Sequence, residues 1–264
     1  MISTKVLFVL VLVICAYCHE IDKNDQEKHD HNVGIIGGHP ISIEQAPFMA
    51  SIRLYGVIHW CGGSIIHERF ILTSASCLGL DNMFFRVYVG SDNLREGGTA
   101  YDIEKIIIHE KYSNVTGDYD VGIIKLNESL IFGPTVSTVS LKWNWDLVKV
   151  KLGTMLNITG WGFKDPLYQI SDELQQTSVP VVSKNKCERF IKDYKLTPRM
   201  MCTDAIAKDP CVGDEGGPLT YNNIQIGIIT KENGCAQFPS VYTRVRAVKR
   251  FILTTINNHH KKEN

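Results

Sequence analysis

The chain has 264 residues, in which 28 Lys and Arg side chains balance 28 Asp and Glu side chains. A hydrophobic content of 44% is typical of a soluble globular protein, and the length suits one large β domain or two small ones. Because there is no net positive charge, nucleic acid is not an expected partner, and no cofactor is expected either.

The first 34 residues have the features of a leader followed by a polar segment. Lys5 precedes an apolar run, Val6 to Cys15, that is too short to span a bilayer, and small residues follow it. We therefore expect a signal peptide at residues 1–18, a secreted product and no membrane span. Residues 19–34 are polar and charged and cannot bury enough apolar surface to offset the entropy of ordering, which predicts a mobile pro-segment.

Beyond Ile35, short strand-like runs alternate with turn residues, and this pattern predicts an all-β barrel or sandwich. The predicted strands are Met49–Leu54, Ser64–Thr73, Phe85–Val89, Ile103–His109, Thr154–Thr159, Ser178–Val182, Ile224–Ile229 and Ser240–Val245.

The last periodic segment, residues 246–256, predicts an amphipathic helix that docks on the second half of the fold. Its apolar face comprises Val248, Phe251, Ile252, Thr255 and Ile256.

Six cysteines follow the leader, an even number that indicates disulfides in an oxidising compartment. Spacing alone leaves their pairing open. A zinc site is the alternative interpretation, but this part of the chain contains no C-x-x-C pair. The six are Cys61, Cys77, Cys187, Cys202, Cys211 and Cys235.

Three Asn-x-Ser/Thr sequences make N-glycosylation possible in a secreted chain. Asn114 lies among turn residues and is the best acceptor. Asn127 is a second candidate, whereas Asn157 lies inside a strand-like run.

Five motifs occur in one order along the chain: Ile35-Ile36-Gly37-Gly38, then residues 72–77 (LTSASC), 120–126 (DVGIIKL), 160–162 (GWG) and 213–218 (GDEGGP). They resemble the IVGG, LTAAHC, DIALLKL, GWG and GDSGGP motifs of the chymotrypsin- and trypsin-like serine peptidases, family S1. The likeness covers residues 35–258.

This resemblance implies two six-stranded antiparallel β-barrels with an active cleft between them, followed by a C-terminal helix. The first barrel is expected at about residues 35–145 and the second at about 146–245. The family's disulfides correspond here to Cys61–Cys77, Cys187–Cys202 and Cys211–Cys235.

The catalytic positions depart from the family pattern. Ser76 stands where the family has its general-base histidine, and Glu215 stands where it has the nucleophilic serine, while Asp120 matches the triad aspartate. A serine hydroxyl does not titrate near neutral pH and a carboxylate is a poor nucleophile toward an amide, so no peptidase activity is expected. Gly213 and Glu215 mark the remnant of the oxyanion hole, and whether the Glu215 side chain enters it or points to solvent stays open.

The specificity pocket is altered as well. Asp209 matches the aspartate at the base of the trypsin pocket, but side chains replace the glycines of the walls, where any Cβ intrudes on an entering side chain. We expect Asp209 to be a relic or a partner of Lys231. The wall positions are Thr230, Lys231, Glu232 and Ser240.

Activation also differs, because Gly34 and not Arg or Lys precedes Ile35. The resemblance makes Ile35 and Asp214 the pair that a new N-terminus would form. Ser51 and His59 match a pair that holds the same aspartate in some uncleaved precursors, so the state of Asp214 stays open.

The functional hypothesis is a secreted, inactive homologue that binds other proteins as a decoy, adaptor or inhibitor. It resembles the inactivated paralogues of parasitic mites, which are associated with interference in host complement, and next the adaptor homologues of arthropod immune cascades. A monomer without a metal is expected. The loops at Asp92–Thr99 and Phe163–Gln169 are the predicted contact surface, on the premise that side chains close the cleft. The alternatives are a weakly active hydrolase with Glu215 as base and a duplicate without a specific partner.

Overall fold

The computed structural model describes residues 35–142, 150–163, 170–191, 194–204, 208–230 and 235–260. These residues form two six-stranded antiparallel β-barrels with few helices and a helix at the C-terminal end, the chymotrypsin-like fold. The predicted signal and pro-segment lie outside the described residues.

The first barrel is closed in the strand order β2-β3-β4-β7-β6-β5. Its strands alternate between the barrel interior and the outer surface, as in β5, where Phe85, Val87 and Val89 are buried and the residues between them are half-buried. Ile71 and Ile124 of the paired strands β4 and β7 complete this core. The strands are β2 (Met49–Leu54), β3 (Ile58–His67), β4 (Phe70–Thr73), β5 (Phe85–Val89), β6 (Thr99–Ile108) and β7 (Gly122–Leu126).

The second barrel has the order β9-β10-β13-β12-β11-β8 and closes through pairing of β8 with β9. The short strand β1 (His39–Pro40) adds to the edge of β9. The core contains Ile35, Leu156 and Tyr242, all without exposed surface. The strands are β8 (Met155–Gly160), β9 (Gln175–Val182), β10 (Met200–Thr203), β11 (Pro218–Tyr221), β12 (Ile224–Ile229) and β13 (Ser240–Arg244).

The predicted strands agree with the structure except at Ser64–Thr73, where the prediction of one strand is wrong. Strand β3 ends at His67 and β4 begins at Phe70, because residues 68 and 69 form a turn. The sequence pattern also missed β7, β10 and β11. Strands β10 and β11 are only four residues long and β7 is buried throughout, so none shows the two-residue alternation that identifies a half-buried strand.

The C-terminal segment is a 3-10 turn (Val245–Val248) followed by a helix, for which the predicted amphipathic face is confirmed. Val248, Ile252 and Thr255 are buried. The predicted docking on the second barrel is confirmed by Ile228 of β12, and outward side chains of β4 and β7 in the first barrel also pack against the helix. The cluster contains Phe70, Leu72, Ile123, Ile228, Val248 and Ile252. The helices are α1 (Lys184–Glu188) and α2 (Lys249–His260).

Three disulfides join the pairs that the resemblance implies: Cys61–Cys77, Cys187–Cys202 and Cys211–Cys235. Each closes a loop of 15 to 24 residues and stabilises the chain by about 3 kcal/mol in the chain-entropy account. Since all six cysteines are paired, none is left as a zinc ligand.

Two segments of the second barrel meet at the buried carboxyl group of Asp214. They are the end of β8 with Gly162, and residues 211–217. Asp214 Oδ1 accepts a hydrogen bond from Gly162 N at 2.8 Å, and Oδ2 accepts one from Cys211 N at 3.0 Å. A Cβ built on Gly160 or on Gly162 would overlap this carboxyl group. The two glycines of the Gly-Trp-Gly sequence therefore leave the space that the Asp214 carboxyl group fills, which we call the seat of Asp214. This packing holds residues 211–217 against the end of β8.

We expect Gly162→Ala to lower the free energy of unfolding by about 1–3 kcal/mol, because the added methyl must displace a fully buried, doubly hydrogen-bonded group. Gly79→Ala is the matched control, since a Cβ at Gly79 meets nothing within 4 Å and its φ of -74° suits alanine. Urea denaturation of the oxidised proteins measures both. Equal stability of the two variants would show that the seat is not tight.

Candidate functional site

Ser76 and Asp120 meet because their strands are neighbours. Ser76 follows β4 and Asp120 precedes β7, and Thr73 at the end of β4 pairs with Gly122 at the start of β7. Ser76 donates twice to Asp120, from its amide N to Oδ1 at 2.8 Å and from Oγ to Oδ2 at 3.0 Å. The small hydroxyl thus stays against the aspartate and does not project an acid or base into the cleft.

Asp120 is 2% exposed. Burial raises its pKa to about 6, against the opposing effect of the hydrogen bonds from Ser76 and Ala75. The Ser76 hydroxyl also lies 3.0 Å from Ser74 Oγ. Ser74, Ser76 and Asp120 form one polar cluster, in which both serine hydroxyls lack a titration near neutral pH and the aspartate carries the titratable group.

Glu215 turns its side chain inward. Its Oε2 accepts a hydrogen bond from Gly213 N at 2.8 Å, which is the backbone donor expected to face a substrate carbonyl in the oxyanion hole. The backbone of Glu215 is fixed by a second bond, from Gly62 N to its carbonyl oxygen at 2.8 Å. Of the two orientations left open by the sequence, the structure has the one in which the carboxylate enters the hole.

A cavity of about 550 Å³ lies beside Glu215. The premise that side chains close the cleft is therefore wrong for this part of it, and a physical reason is the small size of Ser76, which leaves space in the wall. The lining is chiefly apolar and comprises Ile58, His59, Trp60, the Cys61–Cys77 disulfide, Ser76, Phe163, Ile170, Val212, Gly213 and Glu215.

Trp60 is the main residue of this cavity that sequence reasoning missed. Its indole Nε1 donates to Cys77 O at 3.2 Å, so the ring is anchored although 45% of its surface is exposed. It follows a hairpin tip at which Tyr55, Val57 and Ile58 are also exposed. An apolar run directly before Cys61 was the sequence signal that could have identified it.

Asp209 is fully buried and lies outside the lining of the cavity. Ser240 Oγ donates to its Oδ1 at 2.6 Å and Ala236 N donates to its Oδ2 at 2.9 Å. Thr230 Oγ1 donates to the backbone carbonyl of Val241 at 2.7 Å and so supports β13. The other two wall positions, Lys231 and Glu232, lie outside the described residues, and so does the predicted pairing of Lys231 with Asp209.

His59 contacts Gly213 and not Asp214. Its Nε2 lies 2.9 Å from Gly213 O and must donate, because a carbonyl only accepts, while Nδ1 lies 2.8 Å from Ser51 Oγ. Burial lowers the pKa of His59 to about 4, with Gly213 opposing the shift, so the ring is neutral at physiological pH. The Ser51 and His59 pair therefore positions the oxyanion-hole residue.

Ile35 and Asp214 are both buried completely. Ile35 lies in the core of the second barrel, and Ile36 forms a bridge with Asp209. Burial raises the pKa of Asp214 to about 7, against the opposing hydrogen bonds from Cys211 and Gly162.

The predicted glycosylation acceptors differ in environment. Asn114 and Asn127 are exposed. Asn157 is half-buried in β8, and its Oδ1 accepts a hydrogen bond from Ser178 Oγ at 2.7 Å, which holds the side chain against the neighbouring strand. Glycosylation at Asn114 and Asn127 remains a prediction.

In the part of the chain that the structure describes, no helix is long and apolar enough to cross a membrane. Within the same ranges, no group of three His, Cys, Asp or Glu side chains is arranged to hold a metal. Three disulfides are typical of an extracellular protein.

We expect the raised pKa of Asp214 to make stability depend on pH. The unfolded carboxyl group loses its proton near pH 4 and the folded one near pH 7, so the folded state binds the proton more tightly between these values. The contribution of this group to stability is therefore greatest below about pH 4 and falls toward pH 7, by up to about 1.4 kcal/mol per pH unit.

Asp214→Asn should flatten this fall, as measured by urea denaturation of the uncleaved chain at several pH values. The exposed Glu96→Gln variant gives the background slope. Between about pH 5 and pH 7 the folded group keeps its proton while the unfolded one loses it. If the unfolding free energy of Asp214→Asn and of Glu96→Gln changes equally with pH over this range, the pKa of Asp214 is not raised.

Comparison with known proteins identifies the family to which the chain belongs. A family model described as Trypsin matches residues 35–252. Trypsin 5G1 of Aedes aegypti is 34% identical over 223 residues, which is 83% of each chain. The vitellin-degrading protease of Bombyx mori is 30% identical over 254 residues, covering 94% of this chain and 95% of the relative. Hypodermin-B of Hypoderma lineatum is 35% identical over 229 residues, covering 83% and 86%. The chain belongs to the trypsin-like serine protease family.

Proposed function

We propose that this member of the family is a secreted protein without peptidase activity that acts by binding other proteins. The observation that carries the proposal is the hydrogen bond from Gly213 N to Glu215 Oε2. The residue at the nucleophile position fills the hole that would stabilise a tetrahedral intermediate, so one side chain removes both the nucleophile and its anion site.

The base is absent from its position too. Acyl transfer in this family needs an imidazole to take the proton of the nucleophile, and Ser76 offers a hydroxyl that is hydrogen-bonded to Asp120. Loss of triad members reduces turnover by about 10⁶ in the related chemistry. The relatives carry the names of trypsins and proteases, which supports the ancestry of the scaffold, whereas the two substitutions support the loss of its reaction.

The surface that supports protein binding is the cavity beside Glu215 together with the hairpin tip next to it. Val57 is 77% exposed and Ile58 is 57% exposed, and they adjoin the anchored ring of Trp60. Exposed apolar side chains beside a preformed hollow are typical of protein contact sites, where aromatic anchors contribute most of the affinity. In this proposal the partner inserts an apolar side chain into the cavity. The partner is a component of host complement or of another proteolytic cascade. The chain acts on it as a decoy, adaptor or inhibitor.

We expect the purified protein to hydrolyse no peptide substrate with Arg, Lys, Phe or Leu before the scissile bond, and to remain unlabelled by fluorophosphonates. Glu215→Ser should stay inactive because position 76 still lacks a base. Glu215→Ala tests the alternative in which Glu215 acts as a base, since hydrolysis that disappears in this variant would establish a residual hydrolase. Turnover by Glu215→Ser would contradict the role given to Ser76.

We expect the double variant Ile58→Ser with Trp60→Ala to weaken binding of a partner isolated from serum by tenfold or more, which corresponds to about 1.4 kcal/mol. The matched control is Arg95→Ala with Glu96→Ala, in the loop that the sequence favoured, and its affinity should stay within about threefold. Calorimetry measures both, after circular dichroism has shown that each variant folds. Loss of affinity in the loop variant alone would restore the loop hypothesis.

A further inference from the structure

Two adjoining hollows lie along helix α2, and their linings share no residue with the cavity beside Glu215. The first has a volume of about 480 Å³ and is lined by His109, Glu110, Lys111, Tyr119 and one side of α2. The second has a volume of about 450 Å³ and is lined by Arg246, Lys249, Arg250 and Leu253. Ala247, Arg250 and Thr254 line both, so the two hollows lie side by side on the two flanks of this line of residues, and together we call them one groove.

The lining of this groove is basic although the whole chain carries no net charge. Its cations are Lys111, Arg246, Lys249 and Arg250, and its one acidic residue is Glu110. Residues Lys249–His260 include no Asp or Glu. The groove therefore concentrates positive charge on one surface of an electrically neutral protein.

The arginines of this groove repel one another. Arg246 lies in the 3-10 turn before α2, Lys249 and Arg250 lie in its first turn, and all three line the second hollow, which brings like charges together there. Both arginine side chains are exposed. An anion bound between them removes this repulsion and accepts hydrogen bonds from the guanidinium groups, which match the geometry of sulfate and phosphate oxygens.

We propose that this groove binds a sulfated polysaccharide. A linear polymer presents anionic groups in succession, and two hollows that meet at Arg250 suit successive groups of one chain better than a single small anion. The hydroxyl group of the exposed Thr254 lies in the same lining and can bond to sugar oxygens. This site goes beyond the proposed function, because it involves no residue of the cleft.

The aromatic residues of the groove argue against nucleic acid. His109 stacks on Tyr119 with ring centroids 4.4 Å apart and contacts Phe251 at 4.8 Å. The Arg199 guanidinium covers the Tyr119 ring at 4.4 Å. These rings contact one another and are not available as platforms on which successive bases could stack.

The test measures affinity for heparin by biolayer interferometry, alongside desulfated heparin and a single-stranded DNA of similar length. Arg246→Gln with Arg250→Gln should weaken heparin binding by about tenfold or more and make its salt dependence shallower by about two ionic contacts. Arg86→Gln with Arg95→Gln is the matched control, because it removes the same charge from two ion-paired arginines elsewhere and should change affinity by less than about threefold. Lys111→Gln tests the other hollow from a separate loop and should also weaken binding.

Three results would overturn the proposal. They are equal losses in the two double variants, equal affinity for desulfated heparin, and DNA affinity that matches or exceeds heparin affinity. The cleft variant Ile58→Ser with Trp60→Ala should retain heparin binding, so failure of this site and failure of the proposed function are separate outcomes.

Discussion

The burial of the Asp214 carboxyl group is the constraint on which the candidate site depends. Two backbone amides, from Gly162 and Cys211, bond to it, and two glycines leave the space that it fills. Because the group cannot move without losing both bonds, residues 211–217 keep one conformation against the end of β8. His59 fixes the same segment from its other side through the Gly213 carbonyl. The backbone of residues 211–217 is therefore held in place from two sides.

This fixed backbone explains how the scaffold keeps its shape although the residues at positions 76 and 215 differ from the family motifs. Because the loop is fixed, the Gly213 amide is already oriented to donate a hydrogen bond to the Glu215 carboxylate, two residues along the chain. The Ser76 side chain finds a fixed acceptor in the same way, because pairing of β4 with β7 holds Asp120 beside it. Both substitutions satisfy polar groups that the fold would otherwise leave facing the cleft, so they are compatible with a stable protein.

The architecture could be predicted from the sequence because the motifs contain residues that the backbone of this fold requires. Glycines 160 and 162, the six cysteines and Asp214 stand where the family motifs have them, and it was this resemblance that implied two barrels and the three disulfide pairs, whereas spacing alone left the pairing open. The orientation of Glu215 could not be predicted, because it depends on whether its carboxylate bonds more favourably to the Gly213 amide or to solvent. The cavity beside it could not be predicted either, since its volume depends on how Trp60 and Val212 stand around a small residue. The turn at residues 68 and 69 was missed because apolar residues on both sides hide a short break.

The two candidate surfaces are constrained in different ways. Around the cleft, Val212, Gly213 and Glu215 of the cavity lining belong to the segment that Asp214 holds, so a change at these positions can disturb the packing of Asp214. On helix α2, Val248, Ile252 and Thr255 face inward and are fixed by packing against both barrels. The outward positions, including Arg246 and Arg250, have no part in that packing, so their charge is free to vary without loss of the fold. Since like charges that share one hollow repel one another, this cluster of cations supports the proposal that an anionic ligand binds there.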